Sequence, residues 1–233
     1  KKLVMSAKQI RYFLRRLRGN FKFFFIKSGI LSGYKPDITK KKINIGGGDW
    51  HREEWENLDI IYDYKLENEL LKSFKSDSID LVYTSHCLEH IKFESASLLL
   101  KDVHRVLKKG GTLRIVVPDV DKLFNLYNAN KGTDNFRFYS SGFRANYSLK
   151  ESILELFGFN LDTKKFLVNS MHLSFYNISS LKLLLIASGF NLFKVCSMGQ
   201  SEIDEFNETT DKNTSGFDNP ENDNMSLYLE AIK

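Results

Sequence analysis

The chain has little cysteine, little proline and no long apolar run, and each shortage narrows what it can be. Two cysteines, Cys87 and Cys196, in 233 residues cannot build a disulfide framework, which points to a reducing compartment. Three prolines and no internal repeat exclude a fibrous or solenoid architecture. No run reaches the roughly 18 uncharged apolar residues that a spanning helix needs. No His/Cys group has metal-ligand spacing along the chain, so no metal is expected. What is there suits one globular domain: 42% hydrophobic and 27% charged residues, too apolar for a disordered chain. The expectation is a single-domain cytoplasmic protein.

Acidic residues are nearly missing from one end and crowded at the other. Residues 1–42 carry thirteen Lys/Arg against one acid, Asp37, whereas residues 200–224 carry eight acids against Lys212. The net charge of +5 is therefore the remainder of two opposed terminal segments. Within residues 1–34, Ile10, Phe13, Leu14, Leu17, Phe21 and Phe24 recur at helical steps with Arg11, Arg15, Arg16 and Arg18 between them. This predicts a basic amphipathic arm, with residues 35–233 as the folded domain.

Inside that domain, short β text alternates with helical text. Strands are predicted at Lys41–Ile45, Asn57–Ile61, Ile79–Thr84 and Thr112–Val117, and a helix from Glu94 to Leu107 closed by Gly110-Gly111. Residues 119–170 read as helical with an aromatic-rich, lid-like insertion over about 130–170. A helix over Ile178–Ser188 and strands over Phe190–Met198 and Ser226–Ile232 follow, with 200–224 read as a long acidic loop. Alternation of this kind predicts an α/β fold, a Rossmann-like doubly wound sheet.

Gly46-Gly47-Gly48 ends the first strand, where glycine allows a ligand close approach to the backbone at the carboxyl edge of such a sheet. Asp59, at the end of the second strand, is placed to accept both hydroxyls of a ribose. Only thirteen residues separate Gly46 from Asp59, against ~20 in dinucleotide folds, so the pocket suits a nucleoside without a diphosphate.

Several segments in order carry a family resemblance: Ile43–Gly48, Asn57–Ile60, Ser78–His90 with its Ser85-His86-Cys87-Leu88-Glu89-His90 turn, Val103–Leu113, and Val116–Asp119. Together they resemble class I S-adenosylmethionine (SAM)-dependent methyltransferases, closest to a small subgroup of bacterial glycan and natural-product pathways. His172–Tyr176 and Leu184–Phe190 are similar to its late segment. The resemblance implies a seven-stranded sheet with the last strand antiparallel and SAM as cofactor. It places Gly46, Gly47 and Gly48 at the methionine moiety, Asp59 on the ribose, Asp63 at the adenine wall, and Ser85 and His86 beside the methyl group. Glu89 and His90 fall on the following helix, where capping and packing is the preferred reading.

An alcohol acceptor is helped by a neutral His or a carboxylate taking its proton. The candidates at this sheet edge are His172, His86 and Asp119; Asp119 could equally cap the next helix, and His172 could be a core histidine. In the insertion, Arg137, Tyr139, Arg144 and Tyr147 suit a carbohydrate or acidic acceptor through stacking and bidentate contacts. The expected activity is O-methylation of a sugar hydroxyl in surface-glycan (polysaccharide or lipopolysaccharide-type) or related small-molecule biosynthesis. The alternatives are a tRNA or rRNA methyltransferase that uses the basic arm, and an inactive SAM-fold assembly partner. The arm itself has two expected partners: protein, in a homo-oligomer, or the anionic inner face of the membrane.

Overall fold

The computed structural model describes residues 36–47, 53–58, 71–129, 138–140, 143–147, 159–160, 165–166, 172–210 and 226–233. The basic arm lies outside the described residues, as do Gly48, Asp59, Asp63 and Arg137. Among the described residues, no helix is long and apolar enough to cross a membrane.

Four parallel strands open the sheet: β1 (Lys42–Ile45), β2 (Glu56–Leu58), β3 (Ile79–Ser85) and β4 (Leu107–Pro118). Strands β9 (Leu192–Cys196) and β10 (Ser226–Ile232) complete a six-stranded order β2-β1-β3-β4-β10-β9, with β10 antiparallel to both neighbours. The expected doubly wound α/β sheet with its last strand antiparallel is therefore present. A seventh strand is not among the described residues. The central strands read as near-continuous apolar runs because helices cover them, and Ile43, Val82, Leu113, Ile115, Val117 and Leu229 have essentially no exposure.

Helix α1 (Phe93–Val106) joins β3 to β4 and buries Ala96, Leu99, Leu100, Val103 and Val106 at steps of three and four. Its end departs from the sequence expectation. Leu107 leaves the helix in extended conformation rather than through a left-handed glycine. Residues 108–111 already run with the sheet: the Gly110 N–H donates to Lys233 O at 2.9 Å and the Lys233 N–H to Gly111 O at 3.1 Å. The pairing partner is the far end of the chain, which local glycine spacing does not encode.

Helix α2 (Val120–Ala129) follows β4. The insertion beyond it contains two small antiparallel ladders, β5 (Phe138–Ser140) with β6 (Phe143–Tyr147), and β7 (Phe159–Asn160) with β8 (Lys165–Phe166). Helix α3 (Ile178–Ala187) starts on a reciprocal cap in which Asn177 accepts from the Ser180 N–H at 2.9 Å and Ser180 Oγ accepts from the Asn177 N–H at 3.0 Å. It ends at Gly189, which has φ +105°, and whose missing side chain lets the His104 ring sit 3.0 Å from where a Cβ would stand. His104 thus packs, edge to face on Phe190 at 5.0 Å.

The acidic stretch 200–224 is not all loop. Helix α4 (Asp204–Thr210) inserts Phe206, fully buried, against Trp55 and Tyr83. Lys42 Nζ holds Glu205 at 2.9 Å. One apolar anchor and one long-range ion pair within the chain are enough to dock a segment whose average polarity reads as solvated. Under Phe206, Arg114 on β4 and Glu230 on β10 form a buried pair at 2.6 Å, and Arg114 also donates to Ser197 O at 3.1 Å.

Candidate functional site

The carboxyl ends of β1 and β3 meet side by side, with Ile45 paired to Thr84. Beyond Ile45 the chain turns at Gly46, whose φ is +75° and whose N–H donates to Leu58 O at 2.7 Å. A Cβ at Gly46 would lie 2.5 Å from Cys87 Sγ and 2.6 Å from Cys87 Cβ. Glycine is needed here twice over, for a left-handed turn and for close contact with Cys87, two residues beyond β3. Beside this turn, Ser85 Oγ and Thr84 Oγ1 are buried with no hydrogen-bond partner among the described residues. Buried hydroxyls are normally satisfied; consecutive strand residues face opposite sides of the sheet, so only one of these two orphans can serve a polar ligand at this turn.

After β3 the chain reverses through His86, a non-glycine residue with φ +48°. Such strain collects at functional turns. A short 3₁₀ turn, Leu88–His90, follows and carries Glu89 inward, 1% exposed. His86 Nδ1 lies 3.2 Å from Glu89 Oε1. Because a carboxylate only accepts, the proton belongs on Nδ1, and Nε2 then accepts from Ser226 Oγ at 3.4 Å. Burial alone would raise the Glu89 carboxyl. The hydrogen bond from His86 and the nearby His86, His90 and His172 outweigh it and hold the group below its ordinary value.

His172 arrives from much later in the chain. The N–H groups of Leu173 and Ser174 donate to Glu89 O at 2.6 and 3.1 Å, and Ser174 Oγ donates to Ile91 O at 2.8 Å. This backbone clamp sets the His172 ring edge to face on His90, 4.8 Å between centroids. Burial pushes the imidazole down from 6.5 to about 4, with Glu89 opposing and His90 and His86 assisting, so His172 is neutral at pH 7. Asp119 is 8% exposed and its Oδ1 accepts from the N–H groups of Asp121 at 3.0 Å and Lys122 at 3.5 Å, the geometry of a cap on α2.

The model of the methyltransferase domain matches residues 28–195. The chain belongs to the methyltransferase-domain family. No curated protein matches it. Among solved structures it is similar to an Archaeoglobus fulgidus SAM-dependent methyltransferase, at 17% identity and a TM-score of 0.47, over 95% of this chain and 99% of the other. A Thermotoga maritima SAM-dependent methyltransferase is similar at 15% identity and 0.43, over 97% and 95% of the two chains. Human N-acetylserotonin methyltransferase, solved with SAM, is similar at 12% identity and 0.41, over 83% of this chain and 40% of that one.

The sequence resemblance implies SAM as the cofactor of this methyltransferase, and the described residues fit it. Gly46 and Gly47 bring backbone without side chains to the turn, and Ser85 Oγ is buried with no hydrogen-bond partner among the described residues. Gly46, Gly47 and Ser85 are the described residues that would hold the cofactor; Gly48, Asp59 and Asp63 complete the set by sequence.

Of the other sequence candidates, His86 and His172 are brought to one cluster, whereas Asp119 is engaged at the start of α2. Tyr139, on β5, and Arg144 and Tyr147, on β6, belong to one ladder, in which Phe138 pairs with Tyr147. The sequence reading gives Glu89 and His90 capping and packing roles; the structure makes them part of the cluster. Glu89 does pack, through its carbonyl, but its carboxylate orients His86. The signal available in sequence is an acid placed after the apolar Cys87-Leu88 and flanked by His86 and His90.

Proposed function

We propose that the methyltransferase is an O-methyltransferase acting on a sugar hydroxyl of a surface glycan or a related small molecule. The observation that carries this reading is the pairing of buried Glu89 with part-buried His86 just past β3. Glu89 fixes the imidazole so that the Nε2 lone pair is presented, and the buried carboxylate stabilises the imidazolium formed when that lone pair takes a proton. The Ser226 contact at 3.4 Å is long for a hydrogen bond to an imidazole. An acceptor hydroxyl can replace it.

When bound, SAM supplies an electrophilic methyl on a sulfonium, which is transferred by in-line displacement. The protein's part is alignment, exclusion of water and removal of the acceptor proton. His86 takes that proton as the acceptor oxygen becomes a nucleophile. An alcohol, with a pKa far above 7, needs this help. The sugar is supported by the glycan-pathway subgroup that the Ser85–His90 turn resembles. It is supported too by the aromatic and arginine content of the insertion around β5 and β6.

Mass spectrometry of methyl transfer to a panel of glycans, nucleotide sugars and tRNA tests the acceptor. His86→Asn should lower kcat by about 10²–10⁴ while SAM affinity stays within a few fold. Methylation of tRNA alone would overturn the sugar reading, and unchanged kcat in His86→Asn would remove His86 from the reaction.

A further inference from the structure

We propose that Glu89, His90 and His172 form a binding site for one divalent cation at the carboxyl edge of the sheet. One ligand atom from each residue lies within 4.8 Å of the other two. Two imidazoles and one carboxylate converging on a point is the donor set of open, catalytic-type metal sites, which leave positions for water or substrate. Bonds of about 2.1 Å would bring these atoms to roughly 3.4 Å apart, so side-chain rotations of about an ångström close the site.

A second observation points the same way. Glu89 is 1% exposed, and while Oε1 is held by His86, its Oε2 is buried with no hydrogen-bond partner among the described residues. A buried, unpaired carboxylate oxygen is costly, and a bound cation is the partner that removes the cost. Edge-to-face packing of His90 on His172 accounts for the two rings but leaves that oxygen unsatisfied.

The surrounding contacts are those of a supported site. His86 donates from Nδ1 to Glu89 and so orients the ligand carboxylate, as outer-shell groups do. The Leu173 and Ser174 N–H groups, bonded to Glu89 O, tie the His172 segment to the turn carrying the other two ligands. Mixed nitrogen and oxygen donors select zinc, manganese, iron(II) or cobalt(II) rather than calcium, which takes oxygen alone. Sequence spacing concealed the site because its third ligand joins through a tertiary contact.

The test uses the full, tag-free chain, stripped with chelator and dialysed against zinc and, separately, manganese, with bound metal counted by mass spectrometry. The expected result is one equivalent of at least one of these cations. Glu89→Gln and His172→Ala should each weaken it tenfold or more, and His104→Ala, beneath Phe190, should leave it unchanged. SAM calorimetry on every variant reports whether the fold is intact and stands apart from the metal result. No saturable uptake of either cation by the wild-type chain would overturn the proposal. So would uptake of equal stoichiometry and affinity in Glu89→Gln and His172→Ala variants that still bind SAM.

Discussion

Replacing Gly46 by alanine tests how the cofactor turn is built, and its cost divides into two parts. The first is the backbone: at φ +75° an L-residue costs about 1–2 kcal/mol. The second is contact: the new methyl would stand 2.5 Å from Cys87 Sγ and 2.6 Å from its Cβ. Cys87 is 3% exposed and short, so it has no flexible end to swing aside. Overpacking of this kind costs about 1–3 kcal/mol. Together Gly46→Ala should lose about 2–5 kcal/mol, measured as a shift in denaturant midpoint at constant slope. The melting temperature should fall by about 4–20 °C. SAM affinity, read by calorimetry, should fall with it because the turn faces the cofactor. Cys87→Gly separates the two parts, since it removes both offending atoms but leaves φ unchanged. In that background Gly46→Ala should cost only the backbone part of about 1–2 kcal/mol, a coupling of about 1–3 kcal/mol. Equal cost in both backgrounds would refute the contact argument, and a Gly46→Ala protein of unchanged stability would refute both.

Asp59→Ala should weaken SAM binding by about 1–3 kcal/mol, by loss of a charged acceptor for the ribose; calorimetry reads it directly. Glu230→Gln should destabilise by about 3–5 kcal/mol, because it leaves the Arg114 guanidinium buried without its carboxylate. Arg114→Met combined with Glu230→Leu should restore most of that loss in the same denaturation assay. Asn177→Ala, which removes the α3 cap, should cost about 1 kcal/mol. In chelator-treated protein, His172 titrates near 4 when folded and near 6.5 when unfolded, so between these values the unfolded chain binds the extra proton. Stability is therefore undiminished by this group above pH 6.5 and falls by up to about 3 kcal/mol as pH drops to 4. In His172→Gln this part of the pH dependence should disappear from thermal melts; its persistence would assign it to other groups.

Local patterns in the chain were enough for the order of the main-sheet strands and of α1 and α3, but not for the two ladders of the insertion or for α4. Helical spacing marks α1 and α3, β runs mark β1, β3, β4 and β10, and the glycines after Ile45 mark the ligand turn. All of these are encoded over a few residues, because backbone period and turn sterics act at that range. The methyltransferase family was legible for the same reason: its motifs are short, contiguous and in fixed order. Pairings across the chain were not legible. Nothing near Gly110 says that Lys233 will pair with it, and nothing in the acidic stretch marks Phe206 as the residue whose ring will stack on Arg114. The cluster at the site shows the division most plainly. Sequence alone placed His86, Glu89 and His90 on one turn after β3. Only the docking of the Leu173 and Ser174 N–H groups on the Glu89 carbonyl brought His172 against them. That contact is a matter of register between distant segments, set by the packing of the whole sheet edge, and no local period carries it.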